Sequence, residues 1–286
     1  MATLHLIGAG VPTPTRTRFG TCSILELGEE LLMFDCGPAA TAKLVQAGLF
    51  PTRIEHLFFT HHHFDHSGDY ATFLLCRWDQ SVGREKRLKV WGPPPTELIT
   101  DRLIGPQGAF VFDWRARVGA PVSQRVHQNR GGSLPRPRPQ LEVHDIGPGP
   151  VLRTMRWRVT AAPVHHVEPW LTSLAYRVDT KGLSIVFAGD TEPCAALREL
   201  AAGCEVFVAN CWDLQDRMKA NGEAPGQTGT HDAATMAEEC GARMLVLTHI
   251  GKRLAAPASR RKGLAEIRRL YKGRVVFGEE FMRVAL

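Results

Sequence analysis

Short apolar runs, broken by glycine, proline and acidic turns, dominate this chain. Residues 3–7 read as a strand, and Gly8-Ala9-Gly10-Val11-Pro12-Thr13-Pro14 as the loop after it. Residues 22–27 and 31–34 read as two strands around Gly28-Glu29-Glu30, a hairpin signal. A helix is expected over 39–47, stopped by Gly48. Leu57-Phe58-Phe59 reads as a buried strand, 70–78 as a helix, and 87–91 as a strand ended by Gly92-Pro93-Pro94-Pro95. Further strands are expected at 152–160, 174–178, 183–187, 205–209, 244–247 and 275–277, with helices from Pro193 to Gly203, over 232–239 and over 264–271. Between about 101 and 150 the pattern dissolves. Gly131-Gly132 and Pro135-Arg136-Pro137-Arg138-Pro139 cannot be core elements. That stretch is expected to be an insertion or flap within one domain spanning 1–286, because compact folds rarely carry so long an irregular segment without a use for it. Two groups of strands, each followed by helices, indicate an α/β or α+β class.

Composition narrows the picture. A chain of 286 residues, 44% hydrophobic and 22% charged, can bury a sizeable core. It has no run of eighteen apolar residues, so no membrane-spanning helix is expected, and the first residues lack the basic start and apolar core of a signal peptide. Seven cysteines, with no C-x-x-C pair, favour free thiols in a reducing cytoplasm over a disulfide framework. The net charge of +6 is uneven: Arg77 to Arg158 carries fifteen Lys and Arg against seven Asp and Glu. Such a block either attracts an anionic substrate or nucleic acid or is a solvated face.

The chemistry concentrates in Thr60-His61-His62-His63-Phe64-Asp65-His66-Ser67-Gly68-Asp69. Neutral imidazole with carboxylate suits zinc, iron, nickel or manganese. In extended backbone His61 and His63 point to one side and His62 to the other. Asp65 and His66 follow, giving two neighbouring ligand sets. His165, His166, Asp190 and His249 lie in loops or at strand ends. Each alone could be a cap or a core residue, but together with the histidine motif they close a two-metal site.

The spacing His-x-His-x-Asp-His resembles the signature of the metallo-β-lactamase superfamily. Leu6-Ile7-Gly8-Ala9-Gly10-Val11-Pro12-Thr13-Pro14 and Phe34-Asp35-Cys36-Gly37-Pro38 resemble its ribonuclease Z-like and arylsulfatase-like branch. The resemblance implies a four-layer αββα sandwich and two divalent ions, Zn2+ first, with Mn2+ or Fe2+ as alternatives. It assigns His61, His63 and His166 to one ion, Asp65, His66 and His249 to the other, and Asp190 as the bridge, with His165 the rival of His166. Asp65 would orient the attacking water or act as its base, with the metals supplying it as a bridging hydroxide. Asp35, Thr60, Asp69 and Thr248 are candidates to hold the ligands. His231 is a candidate proton donor to the leaving group, or simply an exposed residue at a helix start.

Two departures from ribonuclease Z are present. That group carries a histidine ahead of the corresponding helix, and the position falls here near Gln227. The early proline loop continues as Thr15-Arg16-Thr17-Arg18-Phe19, without a basic-Asn element. Phe64, Trp170 and Trp212 either wall the substrate pocket or pack, and Cys211 lacks a cationic helper to act as a nucleophile. The leading expectation is therefore a cytoplasmic dinuclear zinc hydrolase of a small-molecule ester-like substrate: a carboxylic ester or lactone, sulfate ester, phosphodiester or β-lactam. The alternative is a ribonuclease Z-like endoribonuclease acting on tRNA precursors, with the basic insertion gripping RNA. A homodimer is implied by resemblance, and no membrane partner.

Overall fold

The structure is a computed structural model that describes residues 2–82 and 86–286. Its strands are β1 (Ala2–Ala9), β2 (Thr21–Leu27), β3 (Glu30–Phe34), β4 (Ile54–Phe58), β5 (Leu88–Gly92), β6 (Leu141–Asp145), β7 (Gly149–Arg153), β8 (Trp157–Val164), β9 (Ser173–Thr180), β10 (Ser184–Phe187), β11 (Val206–Cys211), β12 (Met244–Ile250), β13 (Arg274–Phe277) and β14 (Met282–Ala285). They form two sheets of seven strands, ordered β14-β1-β2-β3-β4-β5-β6 and β13-β12-β11-β10-β9-β8-β7.

Both sheets are apolar on both faces, which explains the continuous hydrophobic runs. Successive residues of a strand point to opposite faces. Phe58 thus joins the core between the sheets while Leu57 faces the helices outside the first sheet. On β11, Val206 and Val208 point inward and Phe207 and Ala209 outward, under the helices of the second sheet. Aromatic rings fasten the inner layer: Phe34 stacks on Phe187 with centroids 3.8 Å apart and on Phe58 at 5.2 Å. The result is the four-layer αββα sandwich expected from the sequence.

The sheets set up a site because of strand direction. β3 to β6 are mutually parallel, as are β10 to β13. β8 runs antiparallel to β9, which is antiparallel to β10, so β8 and β10 point the same way. The loops after β4, β8 and β10 and the end of β12 therefore meet at one rim, the carboxyl edge where ligands settle in open α/β sheets.

The stretch 101–150 is more ordered than its composition suggests. Helices Thr96–Ile104, Val111–Gly119 and Pro121–Asn129 precede β6 and β7. Pro121 stands at the first helical position, where its missing N–H costs nothing. Each helix has nine residues, too few for a clear period. Trp114 is buried and donates Nε1–H to the Ile104 carbonyl at 3.0 Å. The Arg and Pro run after them packs on Tyr70–Gln80: the Arg136 guanidinium lies 4.1 Å from the Trp78 ring centroid and 2.8 Å from Asp79. Arg130 and Arg117 reach the same carboxylate at 3.0 and 3.4 Å. The last helix also starts earlier than expected, at Pro257. All seven cysteines are free, and among the described residues no helix is long and apolar enough to cross a membrane.

Candidate metal centre

The loop after β4 carries the histidine motif. His63 sits at the start of a four-residue helix, Phe64–Ser67, whose first turn brings Asp65 and His66 inward. Ser67 Oγ and the backbone N–H groups of His66 and Ser67 all donate to the His63 carbonyl, which fixes this turn. His61, Asp65 and His66 are buried.

Three groups of side chains converge there. His61, His63 and His166 form one; His61, His66 and Asp190 a second; Asp65, His66 and His249 a third, with the contact atoms of each group within 4.8 Å of one another. His63 Nδ1 lies 3.1 Å from both His61 Nε2 and His166 Nε2. His249 Nε2 lies 3.1 Å from Asp65 Oδ2 and 3.0 Å from Asp190 Oδ2. His66 Nε2 stands between Asp190 Oδ1 at 3.6 Å and Asp65 Oδ2 at 3.7 Å. His166 joins the cluster, whereas the exposed His165 turns outward toward Glu168. His62 also points away, 2.7 Å from Thr96 Oγ1 and 3.3 Å from the Pro93 carbonyl.

Buried partners orient these rings. Asp35 Oδ2 lies 2.8 Å from His66 Nδ1, while Asp35 Oδ1 accepts the Thr60 N–H at 2.8 Å. Thr60 Oγ1 is 3.1 Å from His61 Nδ1. Asp35 holds a left-handed backbone, φ 61°, that aims its carboxylate at both. Asp69 instead accepts the Thr41 N–H at 2.6 Å, and Thr248 Oγ1 has no protein partner. His166 is held by a group with no signature in residue type: its Nδ1–H donates to the Gly226 carbonyl at 2.8 Å. Gly226 has φ +70°, and a Cβ there would strike the His166 carbonyl oxygen. Glu192 Oε2 in turn accepts the Gly226 N–H at 2.8 Å. Glu192 lies two residues past Asp190, so proximity to a strand-end carboxylate was its only sequence signal.

The electrostatics of the cluster set buried imidazoles against buried carboxylates. Burial presses His61 well below the usual histidine range, and the neighbouring His66 adds to it. Burial lowers His63 as well, helped by His166. Burial also opposes charge on His66, yet Asp35 and Asp190 together raise it well above the ordinary range. Burial would raise Asp190, but His249 and His66 hold it well below the usual carboxylate range. Asp65 follows the same logic more weakly, against His249 and His66. Three imidazole nitrogens, His61 Nε2, His63 Nδ1 and His166 Nε2, turn toward one point. His66 Nε2 and Asp190 Oδ1 are buried without any hydrogen-bond partner. Nitrogen and carboxylate donors left over in this way fit divalent metal ions, and the second set of partners above is the support such ligands need.

Other candidates lie further out. His231 is exposed at the start of the helix Thr230–Glu239, with Asp232 at 3.4 Å. Gln227 Oε1 accepts from Asn210 Nδ2 at 3.1 Å, so the position where the resemblance implies histidine is an amide tied to the end of β11. The Trp212 ring lies 5.9 Å from that of His249. Cys211 is buried, and burial raises its thiol far from reactivity.

Comparison with known proteins agrees with this geometry. The chain is 29% identical over 255 residues to a protein named Ribonuclease Z from Mycobacterium sp. (strain KMS), covering 87% of this chain and 84% of the relative. It is 28% identical over 291 residues to Ribonuclease Z from Mycobacterium avium (strain 104), covering 99% and 98%. Among solved structures it superposes on the metallo-beta-lactamase fold protein YhfI from Bacillus subtilis with a TM-score of 0.73 at 18% identity, over 99% of this chain and 98% of that one. It matches human tRNase Z, short form, with a TM-score of 0.69 at 20% identity and the same coverage. The model of the beta-lactamase superfamily domain matches residues 31–250, and the chain belongs to that superfamily as a ribonuclease Z-like metallo-β-lactamase-fold hydrolase.

Proposed function

We propose that this hydrolase is a dinuclear metal phosphodiesterase that cleaves RNA, as the name of its mycobacterial relatives suggests. The observation that carries the reading is the meeting of the ligand groups at one carboxylate: Asp190 lies within reach of His66, His166 and His249. His61, His63 and His166 would hold one ion, Asp65, His66 and His249 the other, and Asp190 would join them. Two divalent ions held there would supply Lewis acidity at a phosphoryl oxygen and lower the pKa of the attacking water towards ~7. The chain's own residues do the rest. Asp65, kept ionised by His249, orients that water and accepts its proton. Asp35 and Gly226 keep His66 and His166 from turning. Exposed arginines of the insertion, such as Arg125 and Arg138, would draw in the polyanion.

Zinc-loaded protein and a tRNA precursor with a 3′ trailer test this directly. Endonucleolytic cleavage is expected, absent in Asp190→Ala and falling steeply with salt. Intact precursor at low salt would overturn it. Gln227 favours a second reading, because the histidine that the resemblance implies is missing there. In that case the substrate is a small ester, and a panel of carboxylic, sulfate and phosphate diesters would be turned over while RNA is not.

A further inference from the structure

Two aromatic side chains on the loops that carry the candidate ligands are left largely in water. Trp170 is 85% exposed and Phe64 is 58% exposed. A tryptophan left in water is uncommon in a soluble fold, and a large apolar group held out beside polar chemistry marks a contact site. Both are carried by neighbours of touching ligand atoms. Phe64 directly follows His63, whose Nδ1 is 3.1 Å from His166 Nε2. Trp170 closes the turn after His166, with its N–H on the Val167 carbonyl at 3.0 Å.

Neither ring hangs on a slack loop. The Trp170 turn is anchored before it by the His166–Gly226 hydrogen bond and after it by Leu174 N–H on the Thr60 carbonyl at 2.9 Å. Phe64 opens the turn that Gly68 N–H closes on the Phe64 carbonyl at 2.7 Å. Hydrogen bonds thus fix the two turns that carry these exposed rings, and the ligands His63 and His166 on those turns touch each other.

We propose that Trp170 and Phe64 form a stacking platform for a planar heteroaromatic ring, the base of the nucleotide whose phosphate sits at the metal centre. This deepens the phosphodiesterase reading and rests on it for the identity of the ring. Every base offers a π-face, so the platform selects nucleotides over simple esters without reading sequence. Trp212, which is partly buried against His249, serves as wall rather than platform.

Calorimetric titration of the zinc-loaded protein with uridine 5′-monophosphate and with ribose 5-phosphate isolates the base without turnover. The nucleotide should bind more tightly by roughly ten-fold, the size of one base–aromatic stack. Trp170→Ala should erase that preference, and Trp170→Phe should keep most of it. Equal affinity in the unaltered protein, or a preference unchanged in the Trp170→Ala, Phe64→Ala double variant, overturns the platform. A kinetic arm compares thymidine 5′-(p-nitrophenyl phosphate) with methyl p-nitrophenyl phosphate. The ratio of their kcat/KM values should fall by a similar factor in Trp170→Ala, chiefly through KM. An unchanged ratio counts against the platform. No turnover of either ester, with base-dependent binding intact, sinks the phosphodiesterase reading and leaves the platform standing.

Discussion

The metal cradle and the helical insertion both collect charged residues, but by opposite means. In the cradle, groups far apart in sequence arrive from both sheets, most are buried, and three of the histidines have partners of their own. Asp35 takes His66, Thr60 faces His61, and Gly226 takes His166. In the insertion, Arg117, Arg130 and Arg136 all crowd onto the single carboxylate of Asp79, and two of the three are exposed. The cradle is built to keep atoms in place, and its leftover donors have no purpose without a cation. The insertion is built to hold surface elements together. Changes in the first should therefore remove metal and chemistry together, and changes in the second should loosen the fold while leaving metal bound.

The sharpest break is at the shared carboxylate. Asp190→Ala should abolish hydrolysis and lower bound metal, measured by elemental analysis, and full metal content with full activity would remove the bridging role. Stripping metal with a chelator should also lower the Tm, since a ligand present at a hundred times its Kd contributes about 2.7 kcal/mol. Next comes Asp35→Asn, which should cost about 10–100-fold in metal affinity or activity, because partners of ligating histidines carry effects of that size. A metal titration indistinguishable from that of the unaltered protein would show that Asp35 does not orient His66. On the insertion side, Asp79→Ala strands the buried Arg136 and should cost about 2 kcal/mol. Calorimetry should show a Tm lower by several degrees, with metal content unchanged, and lost metal would break the division of labour. Gly226→Ala should cost about 1–2 kcal/mol from its left-handed backbone alone, with weaker metal retention because His166 must shift. Smallest is His62→Gln, expected to cost about 1 kcal/mol through the Thr96 contact and to leave bound metal as it was.

The same contrast explains what could be read in the chain. The sandwich was legible because its strands are apolar on both faces and because the histidine motif resembles a known family. His61, His63, Asp65, His66, Asp190 and His249 could be named because ligand residue types stood at strand ends. His166 could not be separated from His165, since the choice depends on a turn fixed by Gly226, sixty residues away. A backbone carbonyl leaves no mark in composition. The order within 101–150 was missed for a different reason: its three helices have nine residues each, too few to show a period among the surrounding Gly and Pro. The fate of Phe64 and Trp170 was undecidable too, because nothing local distinguishes an aromatic ring that packs from one left in water.

The candidate ligands come from both sheets: His61, His63, Asp65 and His66 hang from the first, and His166, Asp190 and His249 from the second. Cations held among them would act as rivets through two leaves of a book. With the rivets in, prising the leaves apart at this rim means breaking coordination on both at once. With them out, only packing and hydrogen bonds join the leaves at this rim. Protease sensitivity and amide exchange along the rim should then report metal occupancy, and a cell starved of the metal would lose the protein itself as well as its activity.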